Sequence, residues 1–521
     1  MFWADKITKE LDKTIKHRVD DMKTPSGHAH AGSLRAIGTH GLIYEAMKRA
    51  GFKVDFTYVI NDMDPMDGMP IYIDKKKYEK EMGKPVFMIP APDGKSKNFS
   101  EQYAQEYIEA FNKLGFKPKI FRSSELYSSG RMNKWIQKSL DGVEEVRQIY
   151  LKVAKQKKPK GWYPFQVICP DCGVVGASLV TDWDGKEVSY ECKEDLVTWA
   201  KGCGKKGKIS PFDGNGKLMW KVDWGAHWSE MEITVEGAGK DHMTMGGSHD
   251  VSKAIVKKVF GEKPPFKFTH EFLLIGGAKM SSSKGNAISA ADLVSIIPPE
   301  LGRFLLARVP YRSAINFDPN LNNTIPDLFD DYDKAGKEWY KNREKSDLGM
   351  VYTYSQLKEL PSEPLFTPRF RQVATLMQMP SIDLVEYFEL EKKSSLSEVE
   401  KEVLEKRVRY AKIWLESYAD EKEKYEIKKE LPERAKDLNE SQKEFLNSLA
   451  SMIEKQKFDN GEKLQFEVFE MIKSLELSSS DAFRALYISL MNKEHGPKMG
   501  WVLYDLIQSD RNFLLKRLRE V

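Results

Sequence analysis

TPSGHAHAGSLR, residues 24–35, decides how the rest of the chain is read. Pro25 and Gly27 force a turn, and Gly32 stands where a helix begins, so the backbone there can approach a ligand closely. From Gly32 to Ala50 the residues Leu34, Ile37, Gly41, Tyr44 and Met47 recur every three or four positions. That spacing predicts a helix, stopped by Gly51. VDFTYVI (54–60) follows as a β-branched and aromatic run suited to a buried parallel strand. A glycine loop, a helix and a strand in that order open a doubly wound nucleotide-binding unit. The strand that should precede the loop is poorly marked, because KHRVDDMK (16–23) is polar.

The loop has its own chemistry. Unpaired N–H groups and the positive dipole end of a helix N-terminus make a seat for phosphate, and His28 and His30 extend it with ring donors. A second loop of unusual composition lies some 250 residues downstream: KMSSSKGN (279–286), directly after the apolar run Phe272-Leu273-Leu274-Ile275. It cannot fill a core, and its serines, glycine and lysines argue against a regular element. Alone, either loop reads as a surface turn.

Bulk composition narrows the class. A chain of 521 residues suggests about three domains. Its 82 Lys+Arg nearly balance 78 Asp+Glu, so any nucleic-acid contact must use local patches. No apolar run is long enough to span a membrane, and the start MFWADKITKELDK lacks a signal-peptide core. Four cysteines are too few for a disulfide scaffold in so long a chain, and their grouping suggests a metal and a reducing, cytoplasmic compartment.

Tyr103, Tyr107, Phe111 and Leu114 mark one helix, and a second is expected through Trp135, Ile136, Leu140, Val143, Val146, Ile149 and Val153. KQKKPKG (155–161) reads as a basic linker. Beyond about 320 glycine thins and charged helices dominate, for example SEVEKEVLEKRVRYAKIWLESY (397–418), with DEKEKYEIKKE (420–430) as a solvated helical face. The expected organisation is an α/β, Rossmann-type doubly wound parallel sheet split over 1–85 and 218–320. An insertion at 86–217 carries a metal module at about 165–212, and an all-α region occupies 321–521.

Taken together, the two loops resemble the signatures of class I aminoacyl-tRNA synthetases. His30-Ala31-Gly32-Ser33 stands where that family has His-Ile-Gly-His, and Lys279-Met280-Ser281-Ser282-Ser283 where it has Lys-Met-Ser-Lys-Ser. Ser33 replaces the second histidine, as in the subclass that handles glutamate. Ser282 replaces the second lysine, with Lys284 two residues on. GAGKDHMTMGGSHDVS (237–252), THEFLLIGGAKMSSSKG (269–285), KVDWGAHW (221–228), GPKMGWVLYDLI (496–507) and the opening FWADKITKEL look like the class I lysyl-tRNA synthetases over nearly the whole chain.

The resemblance implies activation of L-lysine by ATP with Mg2+, then transfer to tRNA(Lys), with tRNA bound before activation. It implies catalytic roles for His28, His30, Lys279 and Lys284. ATP would be bound by Pro25, Ser26, His28, His30, Gly32, Lys240, Asp241 and the stretch Lys279, Met280, Ser281, Ser282, Ser283, Lys284. Such chemistry needs positioning and charge stabilisation more than covalent help, and a closing lysine loop suits the departing pyrophosphate.

A lysine pocket must meet an ammonium with a carboxylate and line its methylenes with apolar surface. Asp62, Asp64 and Glu271 are the candidate carboxylates, Trp220, Trp224 and His242 the candidate walls, with Gly27 beside them; Trp224 is expected on a Val-Asp-Trp strand. Cys169, Cys172, Cys192 and Cys203 form the four-thiolate set of a structural zinc, although ten residues separate the last two. APDGKSKNFSEQY (91–103) lacks the histidine of the family's second metal stretch, so no second metal is expected. KQKKPKGW is a cation-plus-aromatic candidate for tRNA, as are Arg303, Arg308 and Arg312, for which domain packing is the alternative. The helical C-terminal region is expected to read the anticodon. A monomer is expected. A glutamyl or arginyl member of the class, and a catalytically inactive RNA-binding relative, remain as alternatives.

Overall fold

A computed structural model describes residues 1–279, 288–321 and 323–521, with Lys279 by its backbone. These residues form two compact units, Met1–Asp318 with Ala335–Leu360, and Pro319–Lys334 with Pro361–Val521.

Five parallel strands make the main sheet of the first unit: β1 (His17–Lys23), β2 (Val54–Ile60), β3 (Lys119–Arg122), β4 (Val235–Gly239) and β5 (Phe266–His270). Their spatial order is β5-β4-β1-β2-β3. The order reverses between β1 and β4, so this is the doubly wound sheet the sequence predicts, with its switch point at that pair. The poorly marked stretch is its central strand, in register with β2 from His17 opposite Val54 to Lys23 opposite Ile60. Backbone ladders do not depend on side-chain polarity, and tertiary burial overrides local preference here. Asp20 and Asp21 are buried, and Thr57 on β2 donates its hydroxyl to Asp20. Burial pushes Asp20 up to about 7 and Asp21 up to about 6.

The helix α1 (Ser33–Arg49) joins β1 to β2 and is buried on most sides, through Leu34, Ile37, Leu42, Ile43 and Met47. A Cβ at Gly41 would lie 2.3 Å from the ring of Phe116, so this face admits only glycine. Arg35 donates to the carbonyls of Leu306, Val309, Pro310 and Ser313, which ties the helix to the chain around 306–313. The helix α2 (Phe99–Lys113) packs Tyr103, Tyr107 and Phe111 inward, as expected.

Two expectations fail in the insertion. The single helix through Trp135 and Val153 is two, Asn133–Asp141 and Val143–Ala154, because Gly142 interrupts it. Val-Asp-Trp is not a strand but part of α3 (Trp220–Glu230). The four-residue recurrence of Trp220, Trp224 and Trp228 is a helical period, and it puts three indoles on one face. Two further helices, α4 (Ala290–Ile296) and α5 (Pro299–Arg308), follow the sheet. Arg303 on α5 is buried against the carbonyls of Leu114 and Tyr354 and the carboxylate of Glu45, a packing role.

The second unit is helical, with Leu384–Lys392, Glu398–Ser417, Glu440–Lys455, Gly461–Ser474, Ser479–Met491 and Met499–Arg519 its longest segments after residue 360. Ser397 and Glu400 form a capping box at the start of Glu398–Ser417. DEKEKYEIKKE is not a helical face: only Glu421–Glu423 makes a short 3-10 turn, and Lys428 N–H donates to the carbonyl of Leu490. No helix among the described residues is long and apolar enough to cross a membrane.

Candidate active site at the switch point

The carboxyl ends of β1, β4 and β5 surround the crevice where such sheets bind ligands. β1 and β4 share one registered pair, Val19 with Val235, and the N–H of Gly237 donates instead to Nε2 of His40 on α1. That bond fixes His40 as the neutral tautomer, and burial holds it down at about 4.

From β1 the chain turns into the histidine loop. Gly27 has a φ of +148°, and a Cβ there would stand 2.5 Å from the hydroxyl of Tyr72 and 2.9 Å from Pro70. Ser26 and His28 are exposed, Pro25 is buried, and Gly32 occupies the N-cap of α1. The backbone of Ala29–Ala31 is stitched to the far loop: Ala31 N–H donates to Ile288 O at 2.8 Å, and Ala290 N–H to Ala29 O at 2.7 Å. His30 and Ser289 form an antiparallel bridge. Thus the segment leaving KMSSSKGN lies against the two histidines. Met280, Ser281, Ser282, Ser283 and Lys284, and the side chain of Lys279, lie outside the described residues.

His28 is held from three sides. Its Nδ1 is 2.6 Å from Glu106 Oε2 on α2, its N–H donates to Tyr72 Oη at 2.7 Å, and the edge of Tyr103 meets its ring. The hydrogen bond to Glu106 raises its pKa, against partial burial.

The lysine-pocket candidates divide. Trp220, Trp224 and His242 come together: the two indoles stack at 5.0 Å and 15°, and His242 meets Trp220 edge-on at 5.4 Å. Trp224 and Trp228 donate their indole N–H groups to the two oxygens of buried Glu236, at 2.7 and 2.6 Å. Glu271 pairs with Lys240 at 2.8 Å on a partly exposed rim. Asp62 and Asp64 are engaged inside the protein. Asp62 accepts from the N–H and hydroxyl of Ser124. Asp64 accepts from Thr24, Asn61 and the ammonium of Lys217, a residue of the short strand Gly216–Leu218.

Lys217 also meets Asp223 at 3.2 Å, and Asp223 accepts from the hydroxyl of Tyr127. Burial alone would raise Asp223, but Lys217 and then His227 reverse this and hold it well below the carboxylate range. Glu106, Tyr72 and Lys217 carried no sequence signal, since each acts across the fold on a residue far away along the chain; Glu236, 8 and 12 residues from its tryptophans, was not singled out either.

The four cysteines gather as expected. Cys169 and Cys203 sulfurs are 3.6 Å apart, Cys172 and Cys192 sulfurs 3.7 Å, and all four lie within 4.8 Å of one another. Thiolates around one tetrahedral metal at 2.3 Å would be about 3.8 Å apart, so the set can hold such an ion. The ten-residue spacer is no obstacle, because Gly202 N–H donates to Lys193 O at 3.0 Å and closes the loop at its neck. Beside this module a cavity of about 990 Å³ opens, with Met69, Ile73, Lys84, Cys172 and Trp199 in its wall. In KQKKPKGW the aromatic face is already covered: Lys158 lies over Tyr150 at 4.8 Å and over Trp162 at 5.1 Å, and Trp162 is buried.

The parallel sheet, its histidine loop and the cysteine module occur in one unit, and known proteins are similar to this chain in sequence. The chain belongs to the family of tRNA synthetases class I (K), whose model matches residues 1–358. It is 32% identical to a lysine–tRNA ligase of Methanosarcina barkeri (strain Fusaro), over 99% of this chain and 97% of that one. A lysine–tRNA ligase of Archaeoglobus fulgidus is 31% identical, over 97% of each. Among solved structures, a glutamate–tRNA ligase from Elizabethkingia meningosepticum covers 97% of this chain and 99% of its own at 14% identity and a TM-score of 0.45, too distant to carry an argument.

Proposed function

We infer that this chain ligates L-lysine to tRNA(Lys) at the expense of ATP, through a lysyl-adenylate, releasing AMP and diphosphate. The observation that carries the reading is kinship with lysine–tRNA ligases along almost the full length of both chains. The lysine carboxylate attacks the α-phosphorus of ATP and pyrophosphate leaves; a terminal ribose hydroxyl of the tRNA then displaces AMP.

Each side chain has a place in that scheme. His28, His30 and the start of α1 face the triphosphate, with Pro25, Ser26, Gly32, Lys240 and Asp241 around it, and the lysines of 279–284 close from the other side. The stitching of Ala29–Ala31 to Ile288–Ala290 supports that shared cleft. The substrate methylenes lie along Trp220, Trp224 and His242, and the ammonium meets Glu271. Asp64 is a poor partner for it, because the buried ammonium of Lys217 already occupies that carboxylate, whereas the Lys240 that pairs with Glu271 is exposed and is assigned to the triphosphate. Mg2+ bound with ATP would neutralise phosphate charge, and Cys169, Cys172, Cys192 and Cys203 would hold a structural Zn2+. We place the tRNA acceptor end beside the cysteine module and the anticodon on the C-terminal helical unit, in a monomeric, cytoplasmic enzyme.

Exchange of labelled pyrophosphate into ATP, measured with tRNA present and lysine, glutamate or arginine in turn, tests the reading. Lysine alone should support exchange and yield lysyl-tRNA. Exchange with glutamate only would overturn it.

A further inference from the structure

Glu106 belongs to none of the loops discussed so far, yet its Oε2 lies 2.6 Å from Nδ1 of His28 in the histidine loop. Two ring contacts flank the imidazole, Tyr72 at 4.6 Å between ring centres and Tyr103 edge-on at 5.0 Å, and the backbone N–H of His28 donates to Tyr72 Oη. With Nδ1 committed to Glu106, Nε2 is the ring atom left for a ligand, and the side chain is 43% exposed. A neutral imidazole has one N–H. If that hydrogen sits on Nδ1, Nε2 offers a lone pair, which repels phosphate; only the imidazolium donates from both nitrogens.

We propose that Glu106 is a positioning residue of the ligation reaction: its carboxylate takes the Nδ1 hydrogen of His28, keeps the ring doubly protonated, and so turns an Nε2–H toward the phosphates of ATP. Among the described residues the charged groups facing His28 are Glu106 from α2 and, more weakly, Asp292 from α4; Tyr72 supplies a hydroxyl to its backbone N–H and Tyr103 a ring edge. Both carboxylates favour the imidazolium, and the direct bond to Glu106 dominates. As pH rises through the elevated pKa of His28, the Nε2 hydrogen is lost and ATP use declines. The inference rests on the reading of the histidine loop as a phosphate site.

Glu106→Gln separates charge from shape, since the amide oxygen can still accept from Nδ1. The full-length protein with tRNA is assayed for kcat/KM toward ATP in lysine-dependent pyrophosphate exchange across pH 5.5–9 (roughly the range in which a histidine titrates). Glu106→Gln should move the alkaline limb to lower pH by about one unit and lower kcat/KM for ATP about tenfold on that limb, with KM for lysine nearly unchanged. Equal loss at every pH, or an unmoved limb, would reduce Glu106 to a structural contact and overturn the inference. His28→Ala distinguishes the two levels. If it cripples ATP use while Glu106→Gln leaves the limb in place, the inference alone fails; if His28→Ala leaves ATP use intact, the phosphate-site reading fails with it.

Discussion

The cysteine module and the switch-point crevice both join stretches far apart along the chain, but different forces hold them. The module converges four thiols, three from two loops and Cys192 from the end of a short antiparallel strand, with like charges if all four ionise. Such a set can hold a cation between the sulfurs. The crevice already contains its counter-charges. Lys217 neutralises Asp64 and Asp223, Arg35 satisfies four carbonyls, His40 caps Gly237, and the Glu236 carboxylate is held by two indoles. We propose that one region depends on an added ion, whereas the other is preorganised by its own side chains.

Metal removal should break this comparison most strongly. Chelation under reducing conditions should expose 165–212 to proteolysis and hydrogen exchange while β1, β2 and α1 stay protected. An unchanged digestion pattern in a metal-free preparation would mean that the module is as self-sufficient as the crevice.

Lys217→Met comes next. It leaves buried Asp223 and partly buried Asp64 without their shared ammonium, a loss of about 3–5 kcal/mol, visible as a clear drop in melting temperature. Adding Asp64→Asn to that variant should recover part of it; a Lys217→Met protein that melts with the parent would show that the ion pair does not organise the crevice.

The smallest effect concerns the carboxylates of β1. Asp20 and Asp21 have folded pKa values of about 7 and about 6, above the ordinary 3.8. The folded state therefore binds more protons between about pH 4 and pH 7, and stability falls as pH rises through that window. Asp20→Asn should flatten the decline and stabilise the protein above pH 7 by on the order of 1–2 kcal/mol. A parent melting temperature that climbs across the window would reverse the sign and refute the assignment.

Elements whose signal is local were legible in the residues: the helix after the histidine loop, VDFTYVI, the capped helix after Ser397, and the Cys-x-x-Cys turn. The helix break at Gly142 and the helical rather than extended Trp220–Trp228 were misjudged because apolar spacing was weighed without the glycine or the four-residue tryptophan period. β1 gave no signal of its own, since a strand sheltered on both sides can carry aspartates that its neighbours bury. Asp62 and Asp64 looked available because their partners, Ser124 and Lys217, come from after β3 and from the end of the insertion.

By itself, then, the order of residues determined the class of sheet, the two loops proposed to bind phosphate and the four thiols, because turn chemistry, periodicity and ligand type are written in neighbouring residues. Which carboxylates are engaged, which tryptophans stack and which ring nitrogen of His28 meets Glu106 were decided only by the tertiary structure. Those properties depend on charges and donors delivered from distant segments, and no local pattern records where a folded chain will bring them.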